Sequence, residues 1–266
     1  MIHKMVDFTR RTYLELLQTL LELKYPFQTF REFLETPSAR SIILRHDVDR
    51  RPGNSLILAR MEREQGIRGV YYFRAVAESW DEKIIKEISD MDHEIGYHYE
   101  NLAMFKGNME QAFEDFKANL SRMRSIVPVT TIAMHGSPRS KHDSKDLWKK
   151  YDYKSLDILG EPYLDMDFSR VLYLTDTGRR WDGFNVSIRD RVNPAMNQKL
   201  SKNGYPIRST FDLIRAVRAR ALPDQVMFNI HPQRWHSNSL LWFGEFILQN
   251  VKNVVKGSLV RSRDSR

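Results

Sequence analysis

Asp47 and Asp49 stand two residues apart in Leu44-Arg45-His46-Asp47-Val48-Asp49, and His98 and Glu100 close the stretch His93-Glu94-Ile95-Gly96-Tyr97-His98-Tyr99-Glu100. His135 opens His135-Gly136-Ser137-Pro138-Arg139, and His231 sits in Asn229-Ile230-His231-Pro232. Carboxylates and imidazoles are the side chains that hold divalent cations and move protons near neutral pH. The chain contains no cysteine, which excludes thiolate zinc sites, a cysteine nucleophile and a disulfide scaffold, so any metal would rest on nitrogen and oxygen. In an extended strand Asp47 and Asp49 share one face. Two carboxylates that close repel unless a cation lies between them or one keeps its proton. Taken singly, each stretch has a plainer reading. The aspartates would cap a helix or pair with Arg45, Arg50 or Arg51, His98 would be a hydrogen-bonded structural residue, and His231 would merely end a strand. Taken together, they deliver ionisable groups from four strand ends, which points to metal-assisted hydrolysis.

Those strand ends follow from hydrophobic periodicity. Tyr13, Leu16, Leu17, Leu20 and Leu21 recur at helical spacing, and Pro26 lies beyond the end of that run. The apolar run 41–44 predicts a strand leading into Asp47, and Arg51-Pro52-Gly53-Asn54 predicts a turn whose Asn54 caps a helix over 55–65. Strands over 70–73 and 94–99 flank a helix over 81–91. Met109, Ala112, Phe113, Phe116, Leu120 and Met123 line one helical face, 130–134 reads as a fourth strand, and 226–230 is a late strand before an apolar helix from Leu240. The segment 151–202, with Pro162, Gly178, Gly183 and Pro194 among short apolar pieces, predicts short strands and long loops. Alternating strands and helices imply an α/β fold with a mostly parallel sheet, whose ligand site lies at the carboxyl ends of the strands.

These motifs resemble the polysaccharide deacetylases with a NodB-type domain, a carbohydrate esterase family. Leu44-Arg45-His46-Asp47-Val48-Asp49 looks like the variant aspartate motif of its surface-polysaccharide biosynthetic branch, and the stretch His93 to His98 looks like the metal-histidine motif. Asn229-Ile230-His231-Pro232 resembles the late motif that carries the general acid, and His135-Gly136-Ser137-Pro138-Arg139 stands in the place of the Arg/Pro-rich third motif. The resemblance runs over 42–235. It implies a distorted (β/α) barrel of about seven parallel strands and a divalent metal, zinc first, with cobalt, nickel or manganese as alternatives. By position, Asp47 becomes the general base, Asp49 and His98 metal ligands, and His231 the general acid. Arg139 orients Asp47 or holds substrate, and Arg74, Trp181 and Trp235 are candidates for substrate contact. Two departures matter. The family's second metal histidine falls four residues after the first, where this chain has Leu102, so Glu100 or His135 must complete the set, with His135 preferred because it adds no charge. Val48 separates aspartates that are adjacent in the commoner motif, which leaves Asp47 and Asp49 exchangeable.

The expected substrate is an acylamino sugar in envelope polysaccharide synthesis such as O-antigen assembly, nucleotide- or lipid-linked, on the cytoplasmic side and peripheral to the inner membrane face. The alternative is a glycan- or partner-binding scaffold with a degenerate metal site, for which Leu102 is the best argument. The 266 residues fit one domain, with 1–40 as a helical extension packed on the barrel and 256–266 as a basic tail. The 42 basic and 34 acidic residues give a net charge of +8, which suits phosphate-bearing partners. The basic residues scatter without forming a block, so no nucleic-acid partner is expected. The N-terminal residues carry no apolar signal-like core, and Glu245, Gln249 and Lys252 interrupt the late apolar stretch, so no transmembrane segment is expected.

Overall fold

The computed structural model describes residues 6–137, 140–182, 192, 195–237 and 244. Their strands are β1 (Phe27–Gln28), β2 (Ser41–Val48), β3 (Val70–Phe73), β4 (Glu94–Tyr99), β5 (Ile132–Met134), β6 (Leu172–Thr175) and β7 (Gln225–Ile230). All pair in parallel, in the order β5-β4-β3-β2-β7-β6, and the seven-stranded sheet curls into a half-barrel. β2 is the spine. It pairs along residues 41–46 with β7, takes β1 beside Ile42 and Ile43, and takes β3 beside Arg45 to Val48. Every residue of β2, β3 and β4 is buried, as expected of a parallel sheet covered on both faces.

Side chains alternate across that sheet. Ile42, Leu44, Leu172, Leu174, Val226 and Phe228 face outward and share a core with α1 (Arg10–Glu22) and α9 (Thr210–Arg218). Tyr71, Phe73, Ile95, Tyr97 and Tyr99 do the same with α4 (Glu82–Asp90) and α6 (Met109–Arg124). The inner face holds Ile43, Val70, Tyr72, Ala133, Tyr173 and Met227, packed against Phe30 and Phe33 of α2 (Phe30–Glu35). α2 is fixed by a capping box in which Thr29 and Glu32 satisfy each other's backbone donors. Gly96 makes the narrow inner layer possible: a Cβ there would lie 2.2 Å from the Tyr72 ring.

Several elements differ from the sequence expectation. α3 (Pro52–Glu64) starts earlier than predicted, because Pro52 takes the first helical position and Arg51 precedes it in a left-handed conformation with φ 55°. Asn54 is therefore inside the helix, where its amide donates to the Pro232 carbonyl at 3.3 Å. The sequence pattern does not predict β1, α2 or α9. In 151–202 the structure has β6, the short α7 (Pro162–Asp165) and α8 (Ala195–Lys202). Apart from residue 244, the expected helix from Leu240 and the whole basic tail lie outside the described residues. No described helix is long and apolar enough to cross a membrane.

Candidate metal centre

The inward set of the barrel becomes polar toward the carboxyl ends of the strands. Arg45 and Asp47 on β2 share the inner face with His98 on β4 and Asn229 on β7. Just beyond the strands follow Asp49, Arg74, Glu100, His135, Asp176 and His231. Three imidazoles present Nε2 to Asp49: His98 lies 3.6 Å and His135 3.4 Å from its Oδ1, and His231 lies 3.9 Å from its Oδ2. His98 Nε2 is also 3.6 Å from Asp47 Oδ2.

Each ring is fixed from behind. His98 Nδ1 is 2.9 Å from the Ala133 carbonyl, which only accepts, so Nδ1 carries the proton and, in the neutral ring, Nε2 is bare. His135 Nδ1 lies 2.9 Å from Glu100 Oε2. His231 Nδ1 lies 2.7 Å from Asp176 Oδ1, and its backbone N–H donates to Asp176 Oδ2 at 3.0 Å. Asp176 is fully buried and also accepts from Arg234 and from Trp235 Nε1. Burial acts to raise the Asp176 carboxyl, but Arg234 and His231 outweigh it and hold it below its ordinary value.

The two aspartates are now distinguishable. Asp47 is clamped by Arg45, whose Nε and Nη2 donate to its two oxygens at 2.8 and 2.9 Å, and by Asn229 Nδ2 at 3.0 Å. Burial opposes ionisation of Asp47, yet Arg45 and then His98 and His231 bring its pKa down to about 2. Asp49 has one oxygen, Oδ2, bonded to Gln233 Nε2 at 3.0 Å, while its Oδ1 is buried with no hydrogen-bond partner. Its carboxyl sits well below its ordinary value because His135, His98 and His231 outweigh burial.

That orphaned oxygen is the test of whether a metal fits. Asp49, His98 and His135 offer one oxygen and two nitrogens whose ligand atoms lie within 4.8 Å of one another. This is the donor type and number of a catalytic zinc site with an open position. Leu102 lies 2% exposed in one core cluster with Tyr97, Phe116 and Met134, while His135, just beyond the neighbouring strand β5, lies in the convergent group.

Several expected roles are corrected. Trp181 and Trp235 are 1% and 0% exposed, packed with each other, with Phe8 and within the outer core, so neither is a platform for a sugar. Arg74 has its guanidinium engaged by Glu100 and by the Asp49 carbonyl. Glu100 Oε2 faces His135 Nδ1, and Glu100 is outside the convergent group of Asp49, His98 and His135. Arg139 lies outside the described residues, and the orientation of Asp47 comes from Arg45 and Asn229. The sequence motifs do not single out Asp176, Arg234 or Gln233. A signal existed for Asp176, since it follows the apolar run of β6 much as Asp47 follows Leu44.

His46 faces the opposite side of the sheet. Its Nε2 meets Glu62 Oε1 at 2.9 Å, Tyr13 OH donates to the same oxygen at 2.5 Å, and its ring stacks on Tyr71 at 4.0 Å. This buried group ties α1 and α3 to β2 and takes no part in the site.

No protein-family model matches the chain, and no curated protein matches it. Solved structures with a similar chain path include a CE4 family pseudoenzyme from Bacillus anthracis, at 12% identity and a TM-score of 0.44 over 80% of this chain and 61% of that one. A mutant CE4 family pseudoenzyme gives 13% and 0.42 over 83% and 64%. A family 4 carbohydrate esterase from Bacillus anthracis gives 10% and 0.40 over 90% and 84%. The chain thus spans less than two thirds of the length of the first two.

Proposed function

We propose that this chain is a metal-dependent hydrolase that removes an acetyl or similar acyl group from an amino sugar. The observation that carries the reading is the convergence of His98 and His135 Nε2 on the unpartnered Asp49 Oδ1, beside a second buried carboxylate and a third histidine. Asp49, His98 and His135 would hold the ion, with zinc first and cobalt, nickel or manganese as alternatives. When bound, such an ion supplies Lewis acidity, polarising the acyl carbonyl and making water easier to deprotonate.

The remaining steps belong to the protein's own groups. Asp47 stays ionised across the neutral range because Arg45 opposes the penalty of its burial, so it is available to take a proton from the attacking water. Arg45 and Asn229 keep its oxygens turned into the barrel mouth. His231, fixed at Nδ1 by Asp176, directs Nε2 to the same space and would protonate the departing amine. Collapse of the tetrahedral adduct then breaks the C–N bond, leaving a carboxylic acid and a free amino sugar.

The presence of His135 where a third donor is needed favours catalysis over a degenerate binding scaffold, because Leu102 leaves no gap that His135 does not fill. Resemblance of the Asp47/Asp49 motif to the biosynthetic branch, together with the net positive charge, supports a phosphate-bearing substrate, a nucleotide- or lipid-linked acylamino sugar on the cytoplasmic side. The test is acetate release from a panel of N-acetylated nucleotide sugars by chelated protein and by protein reloaded with each ion. Activity is expected only after reloading. Confirmed metal binding without acetate release from any substrate would overturn the deacetylase reading.

A further inference from the structure

Asp49, His98 and His135 come from three different strand ends, and a ligand set spread this widely needs something to hold it. Arg74, at the end of β3, is placed for that. Its Nε donates to Glu100 Oε1 at 2.7 Å, Nη2 donates to the same oxygen, and Nη1 donates to the Asp49 backbone carbonyl at 3.0 Å. The other oxygen of Glu100, Oε2, accepts from Ser137 Oγ at 3.1 Å and meets His135 Nδ1 at 2.9 Å. His135 itself is tied to β4 by its backbone N–H, which donates to the Tyr99 carbonyl at 2.8 Å. One guanidinium thereby joins the backbone of one candidate ligand to the carboxylate that faces another.

We propose that Glu100, held by Arg74, is a positioning residue that locks His135 as the Nδ1–H tautomer and turns the Nε2 lone pair onto the space beside Asp49 Oδ1. An ionised carboxylate only accepts hydrogen bonds, so the ring atom facing Glu100 must carry a proton. The opposite tautomer would set the Nδ1 lone pair against that carboxylate. In its consequence, a third ligand ready for an ion, the inference rests on the metal reading above. In its geometry it does not. With Glu100 and Arg74 as its backing, a donor just beyond β5 faces Asp49, whereas Leu102 on the helical turn α5 (Asn101–Met104) is committed to the core.

The experiment uses the full chain. Long-range 1H–15N spectra of metal-free protein, at a pH where the ring is neutral, are expected to show His135 protonated at Nδ1. Glu100→Ala should lose that preference and weaken zinc binding, measured by calorimetry, about 10- to 100-fold. Glu100→Gln keeps a single accepting oxygen for the two donor sets that Glu100 serves, Arg74 at Oε1 and His135 Nδ1–H at Oε2, so it should restore at most part of either. A wild-type His135 protonated at Nε2 overturns the proposal, as does Glu100→Ala with an unchanged tautomer and zinc affinity within about twofold of wild type. The wild-type tautomer needs no variant, so it decides the matter even if Glu100→Ala fails to fold. The Nδ1–H tautomer in a chain that binds no zinc supports the clamp and overturns the metal reading alone.

Discussion

Replacing Arg45 by Met should turn Asp47 from a stabilising group into a destabilising one. In the native protein Arg45 is fully buried and bonds both oxygens of Asp47, which is itself 3% exposed. Against the opposing effect of burial, Arg45 first among the charges lowers the Asp47 pKa from 3.8 to about 2. At about 1.4 kcal/mol per pH unit, that difference contributes about 2 kcal/mol of stability. Because the folded value lies below the unfolded one, this contribution is present above about pH 4 and is lost as the pH falls toward 2. Without Arg45, the largest of the charges that offset burial is gone and only Asn229, His98 and His231 oppose it, so burial dominates and the folded value of Asp47 rises above the unfolded one. Stability of the variant then falls as pH rises. At pH 7, leaving this charge uncompensated should cost about 3–5 kcal/mol, and the gap from wild type should shrink by about half or more at pH 3. Adding Asp47→Asn should recover part of the loss, giving a coupling of about 2 kcal/mol in a double-mutant cycle. Urea unfolding in chelator at pH 3, 5 and 7 measures all four proteins. A gap of equal size at every pH, or a cycle additive within about 0.5 kcal/mol, would refute the reasoning.

Asp176→Asn should lower kcat for acetate release about 100-fold or more, through His231, while leaving zinc affinity by calorimetry unchanged; an equal loss in both would show that Asp176 supports the metal site instead. Glu62→Ala should cost about 3–5 kcal/mol at pH 7, because it strips His46 and Tyr13 of a buried partner. Burial raises the Glu62 pKa, but His46 and His93 outweigh it and lower the value below 4.5, so the cost should shrink in acid, and urea midpoints that move in parallel at pH 7 and pH 3.5 would contradict this. Gly96→Ala should destabilise by about 1–3 kcal/mol and perturb the near-ultraviolet circular dichroism of Tyr72, since the ring must move off a Cβ only 2.2 Å away.

The candidate ligands are legible because two simple regularities coincide at them. Period-two alternation puts Asp47 and His98 on the inner face, and parallel strands bring their carboxyl ends to one rim, where Asp49, His135 and His231 follow β2, β5 and β7. The supporting groups were less accessible. Arg45 and Asp47 are two residues apart, so their shared face was readable. The bond from Arg74 to both Glu100 and the Asp49 carbonyl, by contrast, depends on the packing of three strand ends that no local pattern encodes. Trp181 and Trp235 misled because an aromatic near a polar motif reads alike whether it faces substrate or core. Their neighbours Phe8, Tyr13 and Phe228 come from distant parts of the chain. The two-residue β1 is too short to carry a periodic signal, and α2 packs on the inner face of the barrel through only two buried phenylalanines.

The central claim is that one ion is held across the ends of β2, β4 and β5. An anomalous difference map from crystals grown with zinc measures it directly. The expected result is a single peak about 2.0–2.2 Å from Asp49 Oδ1, His98 Nε2 and His135 Nε2, with Glu100 still on His135 Nδ1. A peak held by Asp47 and Glu100 with His135 turned away, or no peak in crystals whose site is open to solvent, would contradict it.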